Sequence, residues 1–230
     1  MEKANKFFDG MNKLDPVAAN KALTNNNYSK DAALKLAADI METLRPHIEK
    51  NKDLLNNWDA SDYETRKKYV RETLSILLKK YPSPTIKPEI YFKEDIAKLN
   101  KNNAPVPPIS ACFFDTTFVP SQAQIACQIT GDDKPFFAFF HDFSGRGIMG
   151  QIVHEFTHYL QAAHISSIKP NVVEQAGKYY KLANENAQIN RESIFEVEAN
   201  GIGDYARQQT VQLLRGVDLS VIKQMQNQND

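Results

Sequence analysis

Residues 149–163 read MGQIVHEFTHYLQAA, and their spacing sets the architecture expected around them. At about 100° per residue on a helix, His154, His158 and Gln161 fall on one side. Ile152, Phe156, Tyr159, Leu160 and Ala163 fall almost opposite, in a stripe wide enough to face a core. The predicted element is a helix with a buried back and two histidines turned to a cleft. Imidazoles four residues apart on one helix side can hold a single divalent ion. Glu155, next to the first of them, lies where a carboxylate can take a proton from metal-bound water. Two ligands and a general base are the minimum for hydrolysing a peptide bond. Ser144 and the glycines at 145, 147 and 150 suit a turn into this helix, although Gly150 weakens its first turn. A chance match with solvated histidines is the plain alternative, and the amphipathic setting speaks against it.

A catalytic zinc takes three protein ligands and keeps a further position for water. His164 follows His158 too closely, with no glycine turn between them, to complete an extended three-histidine motif. Residues 195–200, Phe195-Glu196-Val197-Glu198-Ala199-Asn200, offer two carboxylates about 200° apart on a helix, so only one can serve the metal. Ala199, Asn200 and Gly203 share the side of Glu196, where small residues permit close approach to the first helix. Glu198 shares its side with Ile194, Ile202 and Tyr205. The expected ligands are therefore His154, His158 and Glu196, with Asn200 reaching a histidine's outer nitrogen. Glu198 is the alternative ligand.

These two motifs, His154-Glu155-Phe156-Thr157-His158 and Glu196-x-x-Ala199-Asn200, resemble those of the gluzincin metallopeptidases, most of all the short soluble members called minigluzincins. The resemblance covers residues 86–215. It implies an α+β, zincin-like fold, with a small mostly antiparallel sheet packed on the active-site helix and on a second, Glu-bearing helix. It implies a zinc metallopeptidase acting on a protein or peptide substrate, with Glu155 activating a Zn2+-bound water and returning its proton to the leaving amine. It also implies a strand before the active helix that edges the cleft and pairs with extended substrate, a position matched by Phe136–His141. Asn200 stands where some branches carry Asp, and its neutral amide is expected to lower ligand basicity. No donor for the tetrahedral oxyanion is assigned. Tyr179, Tyr180 and His164 lie between the motifs and His141 on the supposed cleft strand, each read first as structural or as surface. The alternative function is a catalytically inactive zincin-fold protein that binds or regulates, against which the presence of Glu155 speaks. A third reading gives the work to an N-terminal helical lobe.

The chain has 230 residues, 42% of them hydrophobic, so one large domain with a substantial core is expected. Lys+Arg and Asp+Glu each number 28, and this neutrality removes the electrostatic case for a nucleic-acid or anionic-membrane partner. No apolar run is long enough to span a bilayer, and Met1 to Leu14 has no signal-peptide core. The expectation is a cytoplasmic protein as written, with a specialised export route left open. Nothing in the residues speaks to oligomeric state.

Three segments follow from texture: an N-terminal helical lobe (1–85), the zincin-like domain (86–215) and a tail (216–230). Helices are predicted over 29–50, with Leu34, Ala37, Ile40, Met41 and Leu44 on one side, and over 61–80, carrying Val70, Leu74, Leu77 and Leu78. Pro46 is expected to strain the first or end it early. His47 reads as a solvated surface residue. Short strands are predicted at 89–92, 110–115, 124–130 and 136–141, with Gly131-Asp132-Asp133 turning the third into the fourth. Phe136-Phe137-Ala138-Phe139-Phe140 reads as two buried faces, not as a substrate pocket. A hairpin of 109–116 with 123–130 would set Cys112 opposite Cys127, most simply as two buried thiols, otherwise as a cross-strand disulfide. Helices over 172–187 and 192–215 close the chain.

Overall fold

Helix α1 (Lys30–Lys50) buries Ala37, Ile40, Met41, Leu44 and Ile48, apolar positions recurring every three or four residues. Leu34, expected on that stripe, is 44% exposed. Pro46 lies inside the helix without ending it. It sits on the solvent face, as does Glu42, so the carbonyl it deprives of a partner faces water. The computed structural model describes residues 30–100, 111–114, 120–132, 134–139, 145–166 and 194–216. The predicted helix over 172–187 and most of the tail lie outside the described residues, as do His141, Tyr179 and Tyr180.

A short helix α2 (Lys52–Asn56) and a 3-10 turn (Trp58–Ala60) lead to α3 (Tyr63–Lys80). Asp62 caps α3, its side chain accepting the Thr65 N–H at 2.8 Å and satisfying one of the donors a helix start leaves free. Tyr69, Val70, Thr73, Leu74 and Leu77 form its buried side. His47 is half-buried, not solvated: its ring stacks on Tyr69 at 4.8 Å, and burial pulls its pKa below the usual value.

Among the described residues the sheet has three strands, in the order β1 (Glu89–Phe92), β3 (Phe136–Phe139), β2 (Ala111–Phe114). β1 runs parallel to β3 and β2 antiparallel, so the sheet is mixed, not mostly antiparallel. β3 is its central strand, with every residue buried. This overturns the expectation that Phe136–His141 edges a cleft. Phe137 and Phe139 face the main core, and Phe136 and Ala138 face a second cluster with Ile96, Phe114, Ala126 and Ile129. Each phenylalanine so buried contributes roughly 1.5–3 kcal/mol, which accounts for the aromatic run without a ligand. Helix α4 (Lys93–Leu99) follows β1 and supplies Ile96 to that second cluster.

Residues 120–130 form helix α5 (Pro120–Thr130), where a strand is predicted over 124–130. The apolar pair Ile125 and Ile129, four apart, fits either period. The buried pair is Ala126 and Ile129, three apart, while Cys127 is exposed. Proline at the first position and glycine just past the last are helix punctuation. Gly131, at φ +84°, closes the helix with its N–H on the Cys127 carbonyl at 3.0 Å. The Cys112–Cys127 hairpin therefore does not exist, and both thiols are free.

Helix α6 (Gly145–Ser166) begins four residues before the predicted start and is buried on nearly all sides. Helix α7 (Ile194–Leu214) packs along it, and α1 packs on α7. One apolar cluster runs from Ala37 of α1 through α3, β2, β3 and α6 to Leu214 of α7, so the N-terminal helices share a core with those that carry the histidines. The architecture is α+β. Among the described residues, no helix is long and apolar enough to cross a membrane.

Candidate metal centre

The crossing of α6 and α7 is set by two glycines. A methyl group on Gly203 would stand 2.8 Å from the Gly150 carbonyl oxygen and 3.1 Å from His154 Cβ. Gly150, which costs its helix some local propensity, is there because backbone meets backbone at this point. Glu196 lies two turns before Gly203, and the close crossing brings its side chain across to α6.

There it meets both histidines. His154 Nε2 is 3.6 Å from Glu196 Oε2, His158 Nε2 is 3.3 Å from Glu196 Oε1, and the two Nε2 atoms are 3.2 Å apart. Nitrogen and oxygen atoms held tetrahedrally by zinc at roughly 2.0–2.1 Å stand about 3.3–3.4 Å from one another. The observed separations, taken to different oxygens of Glu196, lie near that spacing, and one ligand atom from each residue stands within 4.8 Å of the others. Two imidazoles and a carboxylate suit zinc and other first-row divalent ions alike, and among the described residues these three form the group able to hold a metal.

Comparisons with family models, curated proteins and solved structures find no match.

The groups behind the ligands differ from those expected. The backbone of Ala199, not the Asn200 side chain, stands beside His154 and favours its charged form. Asn200 is exposed. The buried stripe of α7 is Ala199, Ile202, Gly203 and Ala206, and Asn200 stands about 110° from its middle. Glu196 and Glu198 flank that stripe on opposite sides, each long enough to reach inward. Glu198 reaches not the histidines but Gln161, whose Nε2 donates to it at 2.9 Å and to the Phe195 carbonyl at 3.0 Å. Gln161 Oε1 lies 2.9 Å from His158 Nδ1.

Glu155 is buried, at 4% exposure, and both its oxygens are engaged. Gln151, one turn earlier on α6, donates to Oε1 at 2.7 Å, and the Phe113 backbone N–H donates to Oε2 at 2.8 Å. Among the described residues β2 pairs with β3 on one side only, which leaves this N–H on its outer edge. Glu155 Oε1 stands 3.9 Å from His154 Nε2, beside the ligand cluster and outside it. A carboxylate oxygen has two lone pairs, so each can still accept one further hydrogen bond, and the group can take up one proton. Gln151 and Gln161 were legible as polar residues at one-turn spacing from Glu155 and His158 on an otherwise apolar helix. The Phe113 and Ala199 backbone groups carry no such signal.

Charges at the site are coupled. Burial disfavours the charged form of His158, but its hydrogen bond to Glu196 and the charges of Glu155 and Glu196 outweigh it and lift its pKa to about 9. For His154 burial prevails and the pKa is lowered. Burial pushes the Glu196 carboxyl up, yet its bond to His158 and the charge of both histidines bring it below the usual value. Burial raises the Cys112 thiol, and the negative charges of Glu155 and Glu196 add to that. The side chain of His164 lies outside the described residues.

Proposed function

We propose that this chain is a zinc-dependent metallopeptidase of the gluzincin type, built on a zincin-like arrangement of sheet, histidine-bearing helix and Glu-bearing helix. The observation that carries the reading is the convergence of His154, His158 and Glu196, one ligand atom from each within 4.8 Å of the others, beside a separately anchored carboxylate, Glu155. A site that only stapled the fold would have no use for that fourth group. His154, His158 and Glu196 would hold the ion; when bound, zinc polarises a carbonyl and lowers the pKa of water.

Glu155 takes the proton of the attacking water and delivers it to the leaving amine nitrogen. Gln151 and the Phe113 N–H hold the carboxylate in one orientation, so no entropy is lost in aligning it at the moment of reaction. The outer edge of β2, rather than β3, borders Glu155, and its Phe113 N–H is taken up in holding that carboxylate. The substrate so proposed is a protein or peptide.

The test joins metal analysis to a single substitution. Purified chain should carry about one zinc, as three protein ligands require, and Glu155→Ala should carry as much while losing cleavage of unfolded protein substrates. A zinc-loaded wild-type protein inert toward varied folded and unfolded substrates would replace the peptidase reading with a binding or regulatory one.

A further inference from the structure

We propose that Gln161 and Glu198 form a positioning relay for His158, so that docking of α7 on α6 decides which imidazole nitrogen faces the metal. This rests on the metal centre argued above. The amide of Gln161 has a forced orientation. Its Nε2 faces the Phe195 carbonyl and the Glu198 carboxylate, both hydrogen-bond acceptors. The NH2 group must therefore point to α7, and Oε1, turned to His158, has no proton to give. Only an Nδ1–H on His158 completes the 2.9 Å bond, which fixes Nε2 as the nitrogen directed at Glu196 and His154.

Gln161 and His158 are both buried, so water does not replace a lost partner. A histidine ligand is ordinarily held by a carboxylate, carbonyl or water on its other nitrogen. Here an amide does this, and a carboxylate and a backbone carbonyl hold the amide. Glu198 thus acts on the metal site at one remove, without being a ligand. Phe195, Glu196 and Glu198 all belong to the first turns of α7. The helix that brings the third ligand also orients the second, and a displacement of α7 would disturb two ligands together.

The full-length chain and its variants are to be compared for zinc affinity, by competition with a chromophoric chelator, and for the visible spectrum of bound Co2+. Gln161→Met preserves bulk and removes the relay; affinity should fall by about ten- to a hundredfold and the cobalt bands should shift. Glu198→Ala should act in the same direction by a smaller factor. Glu198→Gln should return close to wild type, because an amide oxygen also accepts from Gln161, a rescue that loss of general stability would not produce. Wild-type affinity and an unshifted spectrum in folded Gln161→Met overturn the relay alone. A Glu198→Ala protein as metal-free as Glu196→Ala makes Glu198 a ligand and also overturns it. A wild-type chain that takes up neither ion removes the metal centre, and the relay with it. Should Gln161→Met not fold, the Glu198 pair decides.

Discussion

Two glycines of α7, two residues apart, are expected to respond to the same substitution with opposite signs. A methyl group on Gly201 meets nothing within 4 Å. Gly201→Ala should therefore gain about 0.5–1 kcal/mol, the backbone entropy a helical glycine loses relative to alanine. At Gly203 the same methyl would lie 2.8 Å from the Gly150 carbonyl oxygen, whereas ordinary contact begins at 3.4 Å. The backbones must part by the difference, about 0.6 Å, while a metal site tolerates shifts of roughly 0.2 Å in its ligand distances. Overpacking of this kind costs about 1–3 kcal/mol, and the propensity gain offsets under half of the upper figure. Gly203→Ala should thus be neutral to about 2 kcal/mol less stable, and its zinc affinity should fall on the order of tenfold as Glu196 withdraws from the histidines. Urea denaturation of chelator-treated protein reads the first quantity and zinc competition the second. If Gly203→Ala gains as much stability as Gly201→Ala and binds zinc like wild type, the helices do not cross backbone to backbone and the account of the site's assembly is wrong.

Acidity offers a second check. The folded pKa of His158 lies above its ordinary 6.5, so its contribution to stability is complete below that pH and is lost as pH rises through about 9. Glu196, lowered from 4.5, contributes above that value and loses its contribution in acid. Chelator-treated protein should therefore weaken from pH 6.5 to 9 in denaturant titrations, whereas zinc affinity should climb by about tenfold per pH unit over the same range as the metal competes with one proton; a flat affinity would refute the coupling. Gln151→Met should keep its zinc and KM but lose about tenfold or more in kcat, since a hydrogen bond to a charged group is worth roughly 1.5–3 kcal/mol; an unchanged kcat would mean the Phe113 N–H suffices to hold Glu155. Asp62→Ala should lower the midpoint of thermal or urea unfolding without affecting zinc, because it removes the α3 cap and touches none of the metal-site residues.

What could be read from residues alone was whatever local periodicity controls. His154, Glu155 and His158 owe their mutual placement to helical pitch, and Glu196 rather than Glu198 follows from small residues at 199 and 203 on its side of the next helix. The two buried faces of Phe136–Phe139 follow from the alternation of a strand. Other features depend on groups distant in sequence, and there one chain segment satisfies several structures equally well. Ile125 and Ile129 suit a strand or a helix, and packing of Ala126 and Ile129 against Phe136 and Phe114 chose the helix. Asn200 shares the side of Glu196 yet faces solvent, because the stripe that docks on α6 is centred elsewhere. Strand order made β3 central and left β2 beside Glu155, through a backbone N–H that every residue but proline carries. Pitch and alternation are properties of the chain's own geometry, so the sequence by itself determined the histidine pair, its neighbouring carboxylate Glu155 and the carboxylate opposite. Which backbone groups and side chains stand behind them is a matter of contacts between elements, and that only the tertiary structure decided.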